Sequence, residues 1–527
     1  MTQSTIDSRS IKDKESERRS LPSSVKIILI SVAIITLLVL VFYNLTNFPS
    51  PWFDEGSHLH VPKSFVNFGV YADYSSEGFR YFGPSIGVGP TVMLPIAAMF
   101  QVFGVGLLQA RLVMAVYLIL ALLVFYFLIQ HIGGRKLALL SLILIVSTRS
   151  VLILETGRQV LGEVPGFLFL IAGLWLWFSS WPKVNLSRLL IVGLLLGLAM
   201  ITKYQYLLFL LPTLSLAWIL NIFYYRNLSH KDFLVPIVVS TGCFGLWGIF
   251  MLAFLGPESF VDNLSLLRES VAGAALVFQP SVMIRNFETL TSRSVYLGAV
   301  IPSLLYGATI FLRRDQKGQK WATLFLLLAI NLFWFVAASI GWLRYAFLGL
   351  GLTSIFIAHF FLDVTDNFQF VGMESSSTGL IERISKRRNL LNLSLLFWLA
   401  LIIAVPLIKT VGEIVGTQNP AVEMAEFLNE TVPKDVIIET WEPEMGFLTD
   451  HNYHYPPQSL LYQANAQMYL GGEPVSDFYN YLETENPEYV LIGDFGGWIE
   501  LYPSDDLAEE YYLIMTIGSY NLYDRIE

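Results

Sequence analysis

The 527-residue sequence holds one cysteine, Cys243, and only 14% of its residues carry charge. A single thiol excludes an internal disulfide framework and any cysteine-based zinc site. A soluble globular chain carries about 25% charged residues, so this one has too little polar surface to cover a particle in water. Hydrophobic residues make up 54% of it, and mean hydropathy is +0.57. Such a composition describes a multispanning protein of the bilayer.

The few charges are spread unevenly. Residues 415–527 contain 21 acidic residues against Lys434 and Arg525, a net of −19, which leaves a net of +10 on the remainder. The split implies a slightly basic membrane part and an acidic tail domain. Phosphates would repel such a tail, so nucleic acid is not a partner.

Residues 1–24 are polar and of mixed charge, and read as a disordered cytoplasmic tail. The run from Val25 to Tyr43 is longer than a signal-peptide core and reads as a retained anchor. Further apolar runs lie near 106–130, 137–153, 164–181, 189–202, 206–224, 234–256, 295–312, 321–340, 345–362 and 390–409, eleven in all. The stretch 86–105 carries Pro90 and Pro95, which weaken a straight spanning helix. If it does not cross, 20 of the 33 basic residues fall on the side of the N-terminus, as cytoplasmic loops should. It is then an amphipathic or re-entrant segment at the outer interface.

The expected fold is an α-helical polytopic membrane protein of about eleven transmembrane helices with a C-terminal outer-face α/β domain. Residues 25–410 form the bundle, with an outer loop at 46–105, and 411–527 form the acidic extracytoplasmic domain. A second outer loop covers 257–294. Within the tail, Pro420 to Thr431 suggests a helix and Asp435 to Thr440 and Glu488 to Gly493 suggest strands. Tyr511 to Thr516 and Tyr520 to Arg525 close the chain as a strand pair.

Two outer loops carry candidate chemistry. In Pro51-Trp52-Phe53-Asp54-Glu55-Gly56-Ser57-His58, paired carboxylates follow two aromatics that would desolvate them. Ordinarily such a pair is a solvated acidic turn. In Gly157-Arg158-Gln159-Val160-Leu161-Gly162-Glu163, an Arg and a carboxylate sit five residues apart, which is otherwise an interfacial ion pair worth little. Isolated cations stand at outer helix ends: Arg111, Lys203 and Arg344, with Arg80 in the first loop. Each could simply snorkel to headgroups, but intramembrane cations tend to mark function. Together the set offers carboxylates to activate a hydroxyl and cations to hold a phosphate.

The order of these motifs resembles the polytopic GT-C glycosyltransferases, closest to the group holding protein O-mannosyltransferases and the aminoarabinose transferase of lipid A. Trp-Phe-Asp-Glu-Gly at 52–56, Arg158 with Glu163, and Arg344-Tyr345 stand where that group has its acidic loops and its late Arg-Tyr pair. Gln109-Ala110-Arg111-Leu112, followed by Gly133-Gly134-Arg135, resembles its second helix and turn. The group more often has Asp where Glu163 stands. The resemblance spans about residues 25–410.

It implies transfer of a hexosyl or pentosyl group from a polyprenyl-phosphate donor to an acceptor hydroxyl on a glycan, lipid or protein, with inversion. Asp54 is then the expected base, with Glu55 and Glu163 as further catalytic carboxylates. Arg158, Arg344, Lys203 and Arg80 would hold the donor phosphate, and Trp52, Tyr81, Tyr204 and Tyr345 would contact substrate. No cofactor is expected; a divalent cation near Asp54 and His58, with His60 nearby, is the lesser alternative. His451 and His454 would line the underside of the outer domain. The enzyme would sit in the plasma membrane with a cytoplasmic N-terminus. The rival reading is a secondary transporter or flippase of a lipid-linked sugar, which would carry polar groups at mid-membrane depth.

Overall fold

A computed structural model describes residues 23–80, 87–368, 379–416, 418–480 and 487–526, so nearly all of the expected 1–24 tail lies outside the described residues. Contacts divide the chain after Tyr43 into two compact units. In the first, the expected anchor is the helix Ser23–Phe42. The second unit, from Asn44 on, holds all that follows.

Its helices track the apolar runs because hydrocarbon offers no partner for backbone N–H and C=O groups, which a helix satisfies internally. Among the described residues, seven helices are long and apolar enough to cross a bilayer. They include Leu107–Gly133, Glu163–Ser180, Lys231–Leu255 and Gln316–Ala338. Shorter apolar helices, Pro90–Phe103, Leu186–Thr202 and Val300–Phe311, pack with them. The Pro90–Phe103 helix spans about 21 Å at 1.5 Å per residue, against about 30 Å of hydrocarbon. It buries Val92, Met93, Ile96 and Phe100 in one core with Leu59 and Met114.

Two expectations need correction. The 137–153 run is helical only over Arg135–Ser147; beyond it the chain is irregular around a single helical turn, Ile153–Thr156. Nor is 257–294 a loop. It forms two helices, Pro257–Ala275 and Pro280–Thr291, each with proline in its first turn, where a missing N–H costs nothing.

The 46–105 segment is also more ordered than a loop. It contains the helix Phe53–Phe68 and a hairpin of β1 (Asp73–Ser75) and β2 (Gly78–Arg80). Asp73 accepts from Arg80 at 2.5 Å and faces His60 Nδ1 at 2.6 Å. The Arg80 guanidinium and the His60 ring beside it outweigh the cost of burial and lower the Asp73 carboxyl to about 2.

The acidic tail is an α/β domain, as its pattern suggests. The helix Pro420–Thr431 precedes β3 (Ile437–Thr440), β4 (Asn452–His454), β5 (Tyr489–Ile492), β6 (Tyr511–Ile517) and β7 (Tyr520–Arg525). The strand order is β4-β3-β5-β7-β6, with β3 parallel to β4 and β5, and β7 antiparallel to β5 and β6. Strand β4 was not anticipated; its three residues are too few for an alternation to show. His454 does not line an open underside, because its Nδ1 pairs with the buried Glu439 at 2.5 Å. His451 is buried on the Val432 carbonyl.

This domain interlocks with the Phe53–Phe68 helix through Trp441-Glu442-Pro443-Glu444-Met445-Gly446. Lys63 Nζ donates to the carbonyls of Gly446, Phe447 and Thr449 at 2.8–3.2 Å, closing the C-terminus of the helix Pro443–Leu448. His60 Nε2 meets the Pro443 carbonyl at 2.7 Å. A Cβ at Gly56 would collide with the Glu444 backbone. Gly56→Ala is expected to cost about 1–3 kcal/mol, whereas Gly242→Ala, where a Cβ meets open space, should be neutral; thermal melts of the two variants check this.

Glu442 and Glu444 are both buried and close enough that Glu444 opposes the ionisation of Glu442. Burial raises Glu444 to about 7 and Glu442 well above the carboxylate range. A carboxyl raised on folding stabilises the fold below its unfolded value, and that contribution is lost as pH climbs through its folded value. Thermal stability should therefore fall between pH 4.5 and about 7, and Glu444→Gln should flatten that slope in melts recorded across this range.

Candidate active site

Asp54 is the second residue of the Phe53–Phe68 helix, whose first turn holds both acidic residues, as the helix dipole favours. Its Oδ2 accepts from Arg344 Nη2, and its side chain is 24% exposed. Arg344 lies in the turn Leu343–Ala346 just before the helix Phe347–Val364. The guanidinium is held 4.0 Å from the Trp342 ring and 5.4 Å from that of Trp52. Its Nε also stands 3.3 Å from Glu163 Oε1.

Glu163 opens the Glu163–Ser180 helix and pairs with Lys203 Nζ. Lys203 ends the Leu186–Thr202 helix in extended conformation and is bridged to Val88. Gly89 donates to the Thr202 carbonyl at 3.0 Å, and any larger residue there would strike the Ile201 carbonyl. Four charges from four distant stretches thus form one relay, Asp54–Arg344–Glu163–Lys203. It is balanced in sign, which burial requires.

The balance in hydrogen bonds is incomplete. Among the described residues, Arg344 Nε and Nη1 and Glu163 Oε2 are buried with no hydrogen-bond partner. Buried donors of this kind are costly unless a ligand meets them. Arg344 lines a cavity of about 560 Å³ together with Trp52, Asp54, Lys203, Tyr204 and Tyr345, while Glu163 stands behind it, out of the lining. The other walls of the cavity are largely apolar, with Leu208, Phe244, Trp247, Met251, Phe260 and Leu264 among them. His58 also faces the cavity; its Nδ1 meets the Val160 carbonyl at 2.7 Å. Burial lowers its basicity, against the pull of Asp54.

Other expected residues are not brought to this cavity. Glu55 is wholly buried: Arg111 Nε donates to its Oε1 at 2.9 Å and Nη2 to its Oε2 at 2.5 Å. The Val160 N–H adds a third bond at 3.1 Å, so neither oxygen is free to meet substrate. Arg111 also donates to the Leu45 and Thr46 carbonyls. Arg158 is fully buried, 5.3 Å from the Phe48 ring, and is not among the residues lining the cavity. Arg80 serves Asp73 and lies over Tyr455 at 4.9 Å. Tyr81 lies outside the described residues. The alternative cation pair is divided, since His60 is committed to Asp73 and Pro443 while His58 faces the cavity.

Several lining residues escaped sequence reasoning. Trp342 could have been found beside Arg344. Tyr469, Phe495 and Trp498 come from the tail domain, where nothing local distinguishes them from other aromatics.

Residues 88–245, a minority of the chain, match the dolichyl-phosphate-mannose-protein mannosyltransferase family. No curated protein sequence matches the chain. Among solved structures, it is similar to ArnT from Cupriavidus metallidurans in the apo state, at 12% identity and a TM-score of 0.62, covering 96% of this chain and 98% of that one. The same protein bound to undecaprenyl phosphate gives 11%, 0.60, 96% and 99%. The archaeal oligosaccharyltransferase AglB from Archaeoglobus fulgidus, in complex with an inhibitory peptide and a dolichol-phosphate, gives 13%, 0.61, 96% and 75%. The resemblance read from motif order therefore extends to the fold: the chain shares the helical architecture of these proteins, with several helices apolar enough to cross a membrane and a C-terminal sheet domain.

The buried pair makes a separate prediction. Arg111→Met should destabilise by about 3–5 kcal/mol by stranding the Glu55 charge, while Arg111→Met with Glu55→Leu should recover most of that loss; thermal unfolding of the purified variants measures both.

Proposed function

We propose that the protein is a membrane glycosyltransferase that moves a sugar from a polyprenyl-phosphate carrier to an acceptor hydroxyl at the extracytoplasmic face, with inversion. The observation that carries this reading is the carboxylate Asp54 beside Arg344, which keeps buried N–H groups without hydrogen bonds, both lining a cavity whose other walls are largely apolar. The fold shared with proteins solved with undecaprenyl phosphate and dolichol-phosphate supports the same donor class. The bias of basic loops toward the N-terminal side supports the orientation.

In this reading Arg344 and Lys203 take the donor phosphate. Asp54 removes the proton of the acceptor hydroxyl as its oxygen bonds the anomeric carbon. The bond from that carbon to the phosphate oxygen breaks, and the departing polyprenyl phosphate gains negative charge that the two cations stabilise more than they do the intact donor. Glu163 holds Lys203 and Arg344 in place. Glu55 acts at one remove: locked on Arg111, it fixes the first turn from which Asp54 projects. Tyr204, Tyr345 and Trp52 shape the space beside the anomeric carbon.

The test is release of free polyprenyl phosphate by purified protein given polyprenyl-phosphate sugars and acceptor. Asp54→Asn should lower turnover by about 10²–10⁴ and Arg344→Gln by about 10²–10³. Release unaffected by Asp54→Asn would shift the base role to Glu163.

A further inference from the structure

A chamber of about 400 Å³ opens beside the main cavity, lined by Trp52, Phe53, Asp494, Phe495 and Trp498. All of these except Asp494 also line the larger cavity, so the two spaces share a wall. Trp52 and Phe53 are the residues immediately before Asp54, one and two peptide steps of about 3.8 Å from it. Asp54 itself lines the larger cavity, with which the chamber shares Trp52, Phe53, Phe495 and Trp498.

The lining is specific in chemistry. Phe53 and Phe495 pack with ring centroids 4.0 Å apart and planes tilted by 32°, and Trp441 meets both edge-on at 6.3 Å and 5.1 Å. Trp52 is held edge-on by Trp342 at 5.5 Å. These rings form a rigid wall. Trp498, by contrast, is 58% exposed, so its ring is open to an occupant of the chamber. Asp494 beside it is exposed and is the chamber's one charged residue.

The segment carrying them is pinned from below. Glu442 accepts from the N–H groups of Gly493, Phe495 and Gly496 at 2.7–3.3 Å. Gly493 has no room for a Cβ against Tyr520. The exposure of Trp498 and Asp494 thus belongs to a fixed turn.

We propose that this chamber is the acceptor subsite and that the acceptor it takes is a saccharide, which rests on the transferase reading above. Aromatic faces suit the C–H faces of a pyranose ring, and a lone carboxylate suits its hydroxyl donors. Among the described residues no lining residue is basic, which favours a neutral acceptor over a phosphorylated or otherwise anionic one. A ring stacked on Trp498, with a hydroxyl on Asp494, directs another hydroxyl past Trp52 and Phe53 toward Asp54. The atom balance is that of the transfer: the acceptor O–H proton goes to Asp54, and its oxygen replaces the phosphate oxygen on the anomeric carbon.

Saturation-transfer NMR on nanodisc-embedded full-length protein tests this with cellobiose, mannobiose and chitobiose as probes. Wild type and Asp54→Asn should both transfer saturation to the ring C–H protons of at least one probe. Trp498→Ala should abolish that signal, Trp498→Phe should restore part of it, and Asp494→Asn should weaken affinity about tenfold. Both substituted residues are exposed, and thermal melts verify that the variants fold. No saturation of any probe in wild type, or equal saturation in Trp498→Ala and Asp494→Asn, overturns the saccharide subsite. The transferase reading fails separately, if wild-type protein releases no polyprenyl phosphate from any polyprenyl-phosphate sugar in the presence of acceptor.

Discussion

The buried pair Glu55–Arg111 is the constraint on which the site depends. Both side chains are fully enclosed, and every contact they make crosses between parts of the chain far apart in sequence. Arg111 sits on the Leu107–Gly133 helix, Glu55 in the first turn of the Phe53–Phe68 helix, and Val160 in the segment before the Glu163–Ser180 helix. Burying two charges is expensive, and the expense is met only when the fork of the guanidinium fits the carboxylate and the remaining lone pair finds a donor. Here the third partner is a backbone N–H only three residues before Glu163. One interaction therefore fixes the direction of Asp54 and the placement of Glu163 together.

On that frame the four charges Asp54, Arg344, Glu163 and Lys203 cancel. The neutrality lets them gather where the surroundings are apolar, yet Arg344 keeps unmet N–H groups beside the cavity. A relay that is balanced in charge and unbalanced in hydrogen bonds suits a site whose ligand brings acceptor oxygens. The apolar walls of the cavity fit the other half of such a ligand. Glu163 in place of Asp is understandable here, since its extra methylene lets one oxygen stand against both Lys203 and Arg344.

The acidic tail is built into the site. Its turn at 441–446 lies against Gly56, its carbonyls take the Lys63 ammonium, and its aromatics wall the cavity. The same turn holds Glu442, which pins the Gly493–Gly496 backbone. The domain thus grips the helix that carries Asp54 on one side and presents Phe495 and Trp498 on the other. The domain and the bundle therefore line the cavity together.

Much of this was legible in the sequence, because hydropathy and strand alternation are local properties. The apolar runs became helices, the tail became an α/β domain, and Asp54, Lys203 and Arg344 stood out as charges where charge is expensive. The 137–153 and 257–294 assignments failed since composition does not tell where a helix ends or whether a loop is helical. The division of labour between Asp54 and Glu55 was not legible either: two adjacent carboxylates look alike until one is found against Arg111. The same holds for Arg80 and Arg158, cations whose partners lie elsewhere. By itself, the sequence determined a bundle of apolar helices with an acidic tail domain and a few charges set at helix ends, because hydrophobicity and charge belong to residues singly. Which carboxylate faces the cavity, which cations join it and which tail aromatics complete the wall were decided by tertiary structure, because pairing and burial depend on contacts between residues hundreds of positions apart.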